Sequence, residues 1–382
     1  MSLSRLDSAV TKNIALFLKD NTNFSSQEKE KLATLSRIFW QRQIKTGTIL
    51  FEGKQVKPSL KFDYSNFQDQ KIFFNWKKIK RELLLTFNLN QISYPGTLSI
   101  LNDSNDFLVL NKPAGLKVHQ SSPIPFDRPR DVSLVEIIQA NLRNKIQDER
   151  AGIAHRIDKE TSGAIIVARN EIFHKFIKQK FSEKEVSKTY LALCQGDFPC
   201  DSFYITSLIG KKSKNPTLQG ASSLEFKQTK IKNPQEIWTQ CVKEMSGESQ
   251  TNRSLINPKP SLTFGEKIAS GSLKEIKKSL EKSKSDAHNI FLDWDKIARE
   301  SNDFGQEEPF SLLKINLFSG RTHQIRVHLS EVGFPIVGDK VYGKNFTKLP
   351  CHFLHSFKLS FELMGGSYVK AKANHVSLWQ LE

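Results

Sequence analysis

A carboxylate flanked by basic residues stands in the segment 155–163, which reads His-Arg-Ile-Asp-Lys-Glu-Thr-Ser-Gly. The apolar run 164–168 follows at once, so Asp158 is predicted on a loop that enters a buried strand. In that position a carboxylate is partly desolvated and can be directed at a substrate. A simpler interpretation is that Asp158 and Thr161 only cap a turn before Gly163.

A second group of polar residues lies far downstream, where residues 320–329 read Gly-Arg-Thr-His-Gln-Ile-Arg-Val-His-Leu. Thr322 can cap a helix whose apolar face contains Ile325 and Leu329, and Arg326 then lies near the start of that helix. A carboxylate that must stay ionised when it is partly desolvated needs a fixed cation nearby. Arg326 is the best candidate for that cation. The alternative is that it makes a general contact to an anionic partner.

Two shorter motifs accompany these segments. Residues 111–115 read Asn-Lys-Pro-Ala-Gly and follow the apolar run 107–110, which is predicted to be a strand that ends at Pro113, because proline cannot donate to the ladder. Tyr190 begins the apolar run 190–193. Taken alone, a tyrosine in a strand is more often a core residue than a catalytic one.

The composition favours a polyanionic partner. The chain has 382 residues, with 57 Lys and Arg against 40 Asp and Glu, and a formal charge of +17. Nucleic acid is the first candidate. A membrane is disfavoured, because a span needs about 20 apolar residues and the sequence has no such stretch. The residues at the N-terminus do not resemble a secretory signal, so a cytoplasmic location is expected. The four cysteines form no Cys-x-x-Cys pair, which argues against a zinc site and a disulfide framework.

Taken in order, these motifs resemble those of the RluA-type pseudouridine synthases, over most of residues 100–200 and 310–362. The resemblance implies an α+β fold whose central sheet is mixed, largely antiparallel and flanked by helices and loops. It also implies an enzyme that isomerises specific uridines of structured RNA. The bond between ribose C1′ and uracil N1 breaks, the base rotates, and C1′ joins C5. No cofactor is expected, because this reaction has no net redox change and no external group donor.

The resemblance also implies roles for individual residues. Asp158 is the essential carboxylate, which acts either as a nucleophile or in an elimination route, and Arg326 is its partner. Tyr190 lies against the uracil, where its ring can stack and its hydroxyl can take part in proton movement. Arg156 helps to fill the place that the base vacates, because a planar guanidinium can stand in for a base.

Further contacts to RNA are predicted on both sides of this site. Arg321 is a candidate for a phosphate contact or a structural role, and Lys112 is a lesser candidate for an RNA contact. Residues 1–76 resemble the alpha-L RNA-binding motif of ribosomal proteins, with Arg37, Arg42 and Lys45 as its phosphate contacts. A small basic domain with a structural role is the alternative for residues 1–76. The alpha-L resemblance favours ribosomal RNA over transfer RNA as the substrate.

The rest of the chain is divided by composition. Residues 77–96 form a basic connector, and residues 97–382 form the catalytic domain, interrupted by a polar insertion at about 227–308. That insertion is rich in Lys, Glu, Ser, Asn and Gln, so it is expected to be exposed to solvent and partly helical or disordered.

Two other functions are alternatives to the enzyme. The segments 155–158 and 302–305 superficially resemble protein kinase motifs, but Ile157 separates the arginine from the aspartate, and no glycine-rich loop precedes them. The more serious alternative is a non-catalytic RNA-binding or ribosome-assembly protein on the same scaffold. The presence of Asp158, Tyr190 and Arg326 together argues for the enzyme.

Overall fold

The structure is a computed structural model that describes residues 3–19, 21, 24, 26–33, 37–63, 72–79, 98–119, 132–141, 151–228, 233–251, 254–301, 309–343, 345–346 and 348–379. The chain divides into two units. The first contains Met1–Tyr94, His119–Arg143 and Gln147–Arg150, and the second contains Pro95–Val118, Asn144–Ile146 and Ala151–Glu382. Asp158, Tyr190 and Arg326 all belong to the second unit.

The first unit combines short strands and helices. Its elements are β1 (Leu3–Arg5), α1 (Leu6–Leu18), α2 (Ser26–Ala33), α3 (Arg37–Lys45), β2 (Ile49–Phe51), β3 (Lys61–Asp63), β4 (Ile72–Phe74) and α4 (Leu134–Asn141). Strand β1 pairs with β3 and β2 pairs with β4, both antiparallel. Leu6 and Val10, four residues apart on α1, share one buried cluster with Trp40 and Ile44 of α3. Ile79 belongs to the same cluster, so the core of this unit extends into the predicted connector.

The second unit is built on a mixed sheet, which has ten strands in the described part of the chain. The order along the sheet is β10, β9, β11, β12, β8, β13, β7, β6 and β5, and β14 pairs with β13. The bounds are β5 (Ser99–Asp103), β6 (Phe107–Lys112), β7 (Ser162–Ala168), β8 (Ser187–Gln195), β9 (Ser202–Lys212), β10 (Gln219–Gln228), β11 (Leu255–Gly271), β12 (Phe310–Leu317), β13 (Leu354–Glu362) and β14 (Tyr368–Lys372). Strands β7 and β13 run parallel, and the other described pairs are antiparallel. The predicted α+β class with a mixed, largely antiparallel sheet is confirmed.

The second unit also contains α-helices. They are α5 (Glu171–Ser182), α6 (Pro234–Thr251), α7 (Leu273–Ser283), α8 (His288–Ser301) and α9 (Gln324–Glu331). Helix α5 begins after Asn170, whose side chain accepts a hydrogen bond from the backbone N–H of Phe173 at 2.9 Å. Phe173 then stacks on Phe107 of β6, with ring centroids 4.7 Å apart. In the described ranges, no helix combines the length and apolar character that crossing a membrane requires.

A glycine permits the close strand pairing next to Asp158. Ser356 of β13 is paired with Gly163 of β7 on one side and with Tyr190 of β8 on the other. Gly163 has φ +108°, and a Cβ at this position would lie 2.3 Å from the carbonyl oxygen of Ser356. A side chain is therefore excluded here, both by the backbone conformation and by the approach of β13. This arrangement brings the loop of Asp158 and the strand of Tyr190 to the same part of the sheet.

The expectation that residues 227–308 form a solvent-exposed insertion, partly helical or disordered, is wrong for β11 and for the buried faces of α7 and α8, while the predicted helices are present. Strand β11 lies inside the sheet, between β9 and β12. Ile276 and Leu280 of α7 are fully buried, and Trp294 of α8 stacks on Phe353 with ring centroids 5.4 Å apart. The helices are amphipathic, so a few apolar residues at helical spacing suffice to bury one face of each, and an average over the whole segment hides this pattern.

Candidate active site

The loop that carries Asp158 is fixed by hydrogen bonds to its backbone. The N–H of Thr161 donates to the carbonyl of Asp158 at 3.2 Å, and the N–H of Gly115 donates to the carbonyl of Lys159 at 2.9 Å. The Thr161 hydroxyl lies 2.8 Å from Nε2 of His352. The turn that the sequence predicts around Asp158 and Thr161 therefore exists, and it orients the carboxylate.

Lys112 tethers this loop from the inside, which corrects its prediction as an RNA contact. Its side chain is fully buried, and Nζ donates to the carbonyls of Pro113, Leu116 and Lys159 at 2.8, 2.8 and 3.0 Å. Burial lowers the pKa of this amine to about 7. The basic side chain suggested exposure, but backbone carbonyls that only the folded chain brings together accept its hydrogen bonds.

Arg326 joins Asp158 to a second carboxylate. Its Nη1 donates to Oδ2 of Asp158 at 3.1 Å, while Nε and Nη2 donate to the two oxygens of Asp339 at 2.7 and 2.8 Å. Asp339 is fully buried and also accepts the backbone N–H groups of Val341 and Tyr342 at 2.9 and 3.1 Å. The bidentate pair with Asp339 thus fixes the plane of the guanidinium, and the remaining edge faces Asp158.

The charges around Asp158 keep its carboxylate ionised. Burial alone raises the pKa of Asp158. The imidazole ring of His323, the guanidinium of Arg326 and the ring of His352 lower it, and the net shift of this pKa is downward. Burial also lowers the pKa of His323, so this ring is uncharged near neutral pH and Arg326 supplies the positive charge there. The two carboxylates raise the pKa of Arg326 despite its burial. The carboxylate and the guanidinium are therefore both charged at neutral pH.

A cavity of about 90 Å³ lies over Asp158. Its lining includes Arg156, Asp158, Tyr190, Arg321, His323 and Arg326. Burial raises the pKa of Tyr190 far above its ordinary value, so the hydroxyl keeps its proton at neutral pH. Arg156 is exposed at the edge of this cavity. The structure thus brings together five residues that the sequence analysis assigned to the site from separate motifs.

His323 and Tyr342 also belong to this site, and the sequence analysis assigned them no role. Nδ1 of His323 lies 2.9 Å from the Tyr342 hydroxyl, and its Nε2 lies 3.9 Å from Oδ1 of Asp158. The Arg326 guanidinium lies over the Tyr342 ring, 5.1 Å from the centroid. His323 itself is the residue before α9 and has φ +57°, so the predicted cap at Thr322 is wrong by one position. Asp339 is a third residue of this site without a predicted role.

Strand β11 anchors the helix that carries Arg326. The side chain of Gln324 donates to the carbonyl of Leu262 and the hydroxyl of Thr263, at 3.0 and 2.9 Å. Nδ1 of His328 lies 2.9 Å from the same hydroxyl. Nε of Arg321 donates to the carbonyl of Pro260 at 2.9 Å. A strand from the segment predicted to be an exposed insertion therefore positions the helix that carries Arg326.

Two fully buried histidines are expected to make the second unit sensitive to mild acid. Burial lowers the pKa of His328 to about 3 and that of His355 to about 4. Unfolded histidine has a pKa of about 6.5, so below this pH the unfolded state binds more protons than the folded state. The contribution of the two neutral histidines to the free energy of unfolding is fully present above about pH 6.5. Below that pH it declines by about 1.4 kcal/mol per histidine for each pH unit.

Denaturant unfolding at pH 7 and pH 5 measures this effect. We expect these two rings to lower the free energy of unfolding by about 4 kcal/mol, with a further fall from His155, whose pKa burial also lowers to about 3, and we expect His328→Gln to remove about 2 kcal/mol of the total difference. An unfolding free energy that is equal at the two pH values would contradict the assignment of these rings as neutral in the folded state.

The three cations predicted to bind RNA in the first unit have different environments. Arg37 is bound to Asp7, with Nη2 at 3.0 Å from Oδ1, while its side chain stays 43% exposed. Lys45 is exposed at the end of α3. The side chain of Arg42 lies outside the described residues. The RNA-binding role of these residues stays a prediction.

Comparison with known proteins identifies the class of this chain. Residues 106–331 match the RNA pseudouridylate synthase family, and the match covers more than half of the 382 residues. The chain belongs to this family. The matched residues include Asp158, Tyr190 and Arg326, and the resemblance inferred from the motifs is confirmed.

Individual relatives are similar at moderate identity. Ribosomal large subunit pseudouridine synthase D of Borreliella burgdorferi is 27% identical over 277 residues, which are 72% of this chain and 64% of that protein. Ribosomal large subunit pseudouridine synthase C of Buchnera aphidicola is 27% identical over 348 residues, which are 87% of this chain and 83% of that protein. An uncharacterized RNA pseudouridine synthase of Helicobacter pylori is 30% identical over 270 residues, 69% of this chain and 62% of that protein. The chain thus spans less than two thirds of the length of some of these relatives.

Proposed function

We propose that this protein is an RNA pseudouridine synthase that uses Asp158 to isomerise uridine. The observation that supports this proposal most directly is the ionised carboxylate of Asp158, 3.1 Å from Arg326 in a cavity that Tyr190 also lines. A carboxylate in this state can act on an electron-poor sugar carbon without activation by a second base. Membership of the RNA pseudouridylate synthase family supports the same reaction.

The reaction breaks the C1′–N1 bond and forms the C1′–C5 bond, while C5 loses a proton and N1 gains one. Asp158 begins it either by adding to C1′ or by removing a proton from the sugar, and both routes release uracil inside the site. The Tyr190 hydroxyl keeps its proton and can donate a hydrogen bond to the released base. Arg326 offsets the repulsion between the carboxylate and the RNA phosphates.

The target uridine has to leave its stack before it can reach Asp158. Unstacking requires a few kcal/mol, which contacts to the phosphates and to the released base can offset. Arg156 is exposed at the edge of the cavity, where its planar guanidinium can take the place of the base. Arg321 lines the same cavity and is the second cation available to the RNA there.

We propose ribosomal RNA as the substrate, with transfer RNA as the second candidate, and a cytoplasmic location. Two of the similar proteins carry names that refer to the large ribosomal subunit. The high positive charge of the chain agrees with an RNA partner.

Mapping pseudouridines in cells with and without this protein tests the substrate. We expect at least one site in large-subunit ribosomal RNA to lose its pseudouridine when the gene is deleted and to regain it when the gene is restored. If pseudouridine is lost only from transfer RNA, transfer RNA replaces ribosomal RNA as the proposed substrate. If no site in any RNA changes, a non-catalytic RNA-binding or ribosome-assembly protein becomes the better account.

We also propose that the first unit binds RNA, with Lys45 as a phosphate contact. Removing one phosphate contact lowers the slope of log affinity against log salt concentration by about 0.7–0.9. We expect Lys45→Gln to produce this change with ribosomal RNA. Lys12→Gln, on the exposed side of α1, is the matched control and should keep the slope of the unaltered protein. Equal slopes for both variants would remove Lys45 from the RNA contacts.

A further inference from the structure

A groove of about 720 Å³ lies beside the active-site cavity in the second unit. This side groove is lined by Lys184, Glu185, Val186, Ser187, Lys188, Ser202, Pro234, Phe264, Gly265, Glu266, Asn316, Leu317 and Phe318. Leu317 lines both the side groove and the cavity over Asp158. Nζ of Lys188 lies 3.7 Å from the place that a Cβ on Gly320 would occupy, and Gly320 also lines that cavity. The two spaces therefore share a wall, and the volume of the groove lies within the range of about 300–1,000 Å³ for ligand sites.

The acidic residues of the side groove are neutralised by lysines outside its lining. Glu185 forms an ion pair with Lys180, and Glu266 forms one with Lys314 at 3.0 Å. These two carboxylates therefore do not neutralise the lysines that line the groove, and the lysine charges remain available to a ligand.

Three cations border the shared wall. Lys184 and Lys188 line the groove, Arg321 lines the cavity, and neither lysine forms an ion pair with a carboxylate among the described residues. Burial, together with the charges of Lys184 and Arg321, lowers the pKa of Lys188 to about 8. Burial and Arg321 also lower the pKa of Lys184. Cations that repel one another in this way bind an anion favourably, because the anion relieves their repulsion.

Aromatic rings lie next to these cations. Phe318 is half-buried in the lining, with its ring centroid 6.3 Å from that of Phe264 and 5.6 Å from that of Trp238. Nζ of Lys184 lies over the Trp238 ring, 5.5 Å from the centroid. Proteins bind single-stranded nucleic acid by combining positive charges, which contact the phosphates, with aromatic rings, on which the bases stack.

We propose that the side groove binds the single-stranded RNA next to the target uridine, with a phosphate at Lys188 and an unpaired base against Phe318. This inference rests on the proposed function, because it assigns the neighbouring nucleotides of the same substrate. An unpaired base can place its face on a ring within a groove, whereas a base inside a duplex is already stacked on its neighbours. Pro234 and Phe264, which line the groove, belong to the segment that the composition predicts to be an exposed insertion.

Binding of a fluorescently labelled single-stranded oligouridylate to the full chain tests the proposal. We expect Lys188→Gln to lower the salt slope by about 0.7 and the affinity about fivefold at 0.1 M salt, as expected when one contact to single-stranded phosphate is lost. We expect Phe318→Leu to lower the affinity about tenfold, because leucine keeps the apolar packing but offers no ring for stacking. Lys278→Gln removes the same charge from an exposed position on α7 that lines neither space, and it is expected to bind as the unaltered protein does.

Each outcome decides the proposal. Affinity for the oligouridylate that is unchanged in both Lys188→Gln and Phe318→Leu would overturn it. So would a loss of affinity for a labelled RNA duplex that is as large as the loss for the single strand, because the groove would then bind duplex. Thermal unfolding of each variant identifies a fold defect, and in that case Phe318→Tyr, which keeps a ring, has to restore binding. The binding measurement does not depend on catalysis. If the protein binds RNA through the groove but isomerises no uridine, the proposed function is refuted and the proposed binding role of the groove is not.

Discussion

Asp158→Asn is expected to abolish uridine isomerisation while the protein still folds and binds RNA. In the unaltered protein, Nη1 of Arg326 donates to Oδ2 of Asp158 at 3.1 Å. Asparagine keeps the size of the side chain and an oxygen that can accept this hydrogen bond. It removes the charge that either route of the reaction requires. We expect the single-turnover rate to fall by at least about 10⁴-fold, the scale on which loss of a nucleophile acts in other enzymes.

Asp197→Asn is the matched control for this variant. Asp197 has a 64% exposed side chain that pairs only loosely with Lys267, at 3.4 Å, and it lines neither the cavity nor the side groove. The control is expected to keep the rate of the unaltered protein. A rate for Asp158→Asn within tenfold of that rate would assign the chemistry to a different residue.

Arg326→Lys is expected to have the second largest effect. The guanidinium binds Asp339 through two nitrogens and Asp158 through a third. A lysine keeps the charge, but its single ammonium cannot reproduce this planar set of contacts. We expect kcat to fall about 10²-fold, as on removal of a preorganised electrostatic contact. Stability should fall as well, because the fully buried Asp339 loses its bidentate partner.

Rates of tritium release and denaturant midpoints measure the two effects of Arg326→Lys. Arg299→Lys is the control, because Arg299 is 73% exposed and lines neither the cavity over Asp158 nor the side groove. Its ion-pair partner Asp295 is buried, and a lysine keeps the charge that pairs with it, so this control should keep the kcat of the unaltered protein. If Arg326→Lys kept the kcat of the unaltered protein, the guanidinium would have no special part in holding Asp158.

The sequence predicts the parts of the site that depend on local pattern. Asp158 is followed by a buried strand and Tyr190 begins a buried run, so both positions can be read from the apolar periodicity around them. The family resemblance implied the pairing of Arg326 with Asp158, in agreement with the need of a buried carboxylate for a fixed cation, and the two residues do form an ion pair. The fold class followed from the family resemblance, which the motifs carried.

The missed features depend on contacts between distant parts of the chain. Asp339 lies 13 residues beyond Arg326 in the chain, and His323 comes from a segment far downstream of Asp158. One of the carbonyls that accept from the buried Lys112 amine is 47 residues away. Strand β11 was hidden by the polar composition of its surroundings. Local pattern carries no signal for such tertiary contacts, and composition averaged over a long segment conceals amphipathic helices.

Release of tritium from C5-tritiated uridine tests the central claim most directly, because C5 loses its hydrogen only when C5 forms the new bond to C1′. The substrate is ribosomal RNA from cells that lack this protein, so that its target sites are unmodified. We expect the unaltered protein to release tritium in proportion to the target sites and Asp158→Asn to release none. If the unaltered protein releases no more tritium than Asp158→Asn from this RNA or from transfer RNA of the same cells, the protein is not a pseudouridine synthase.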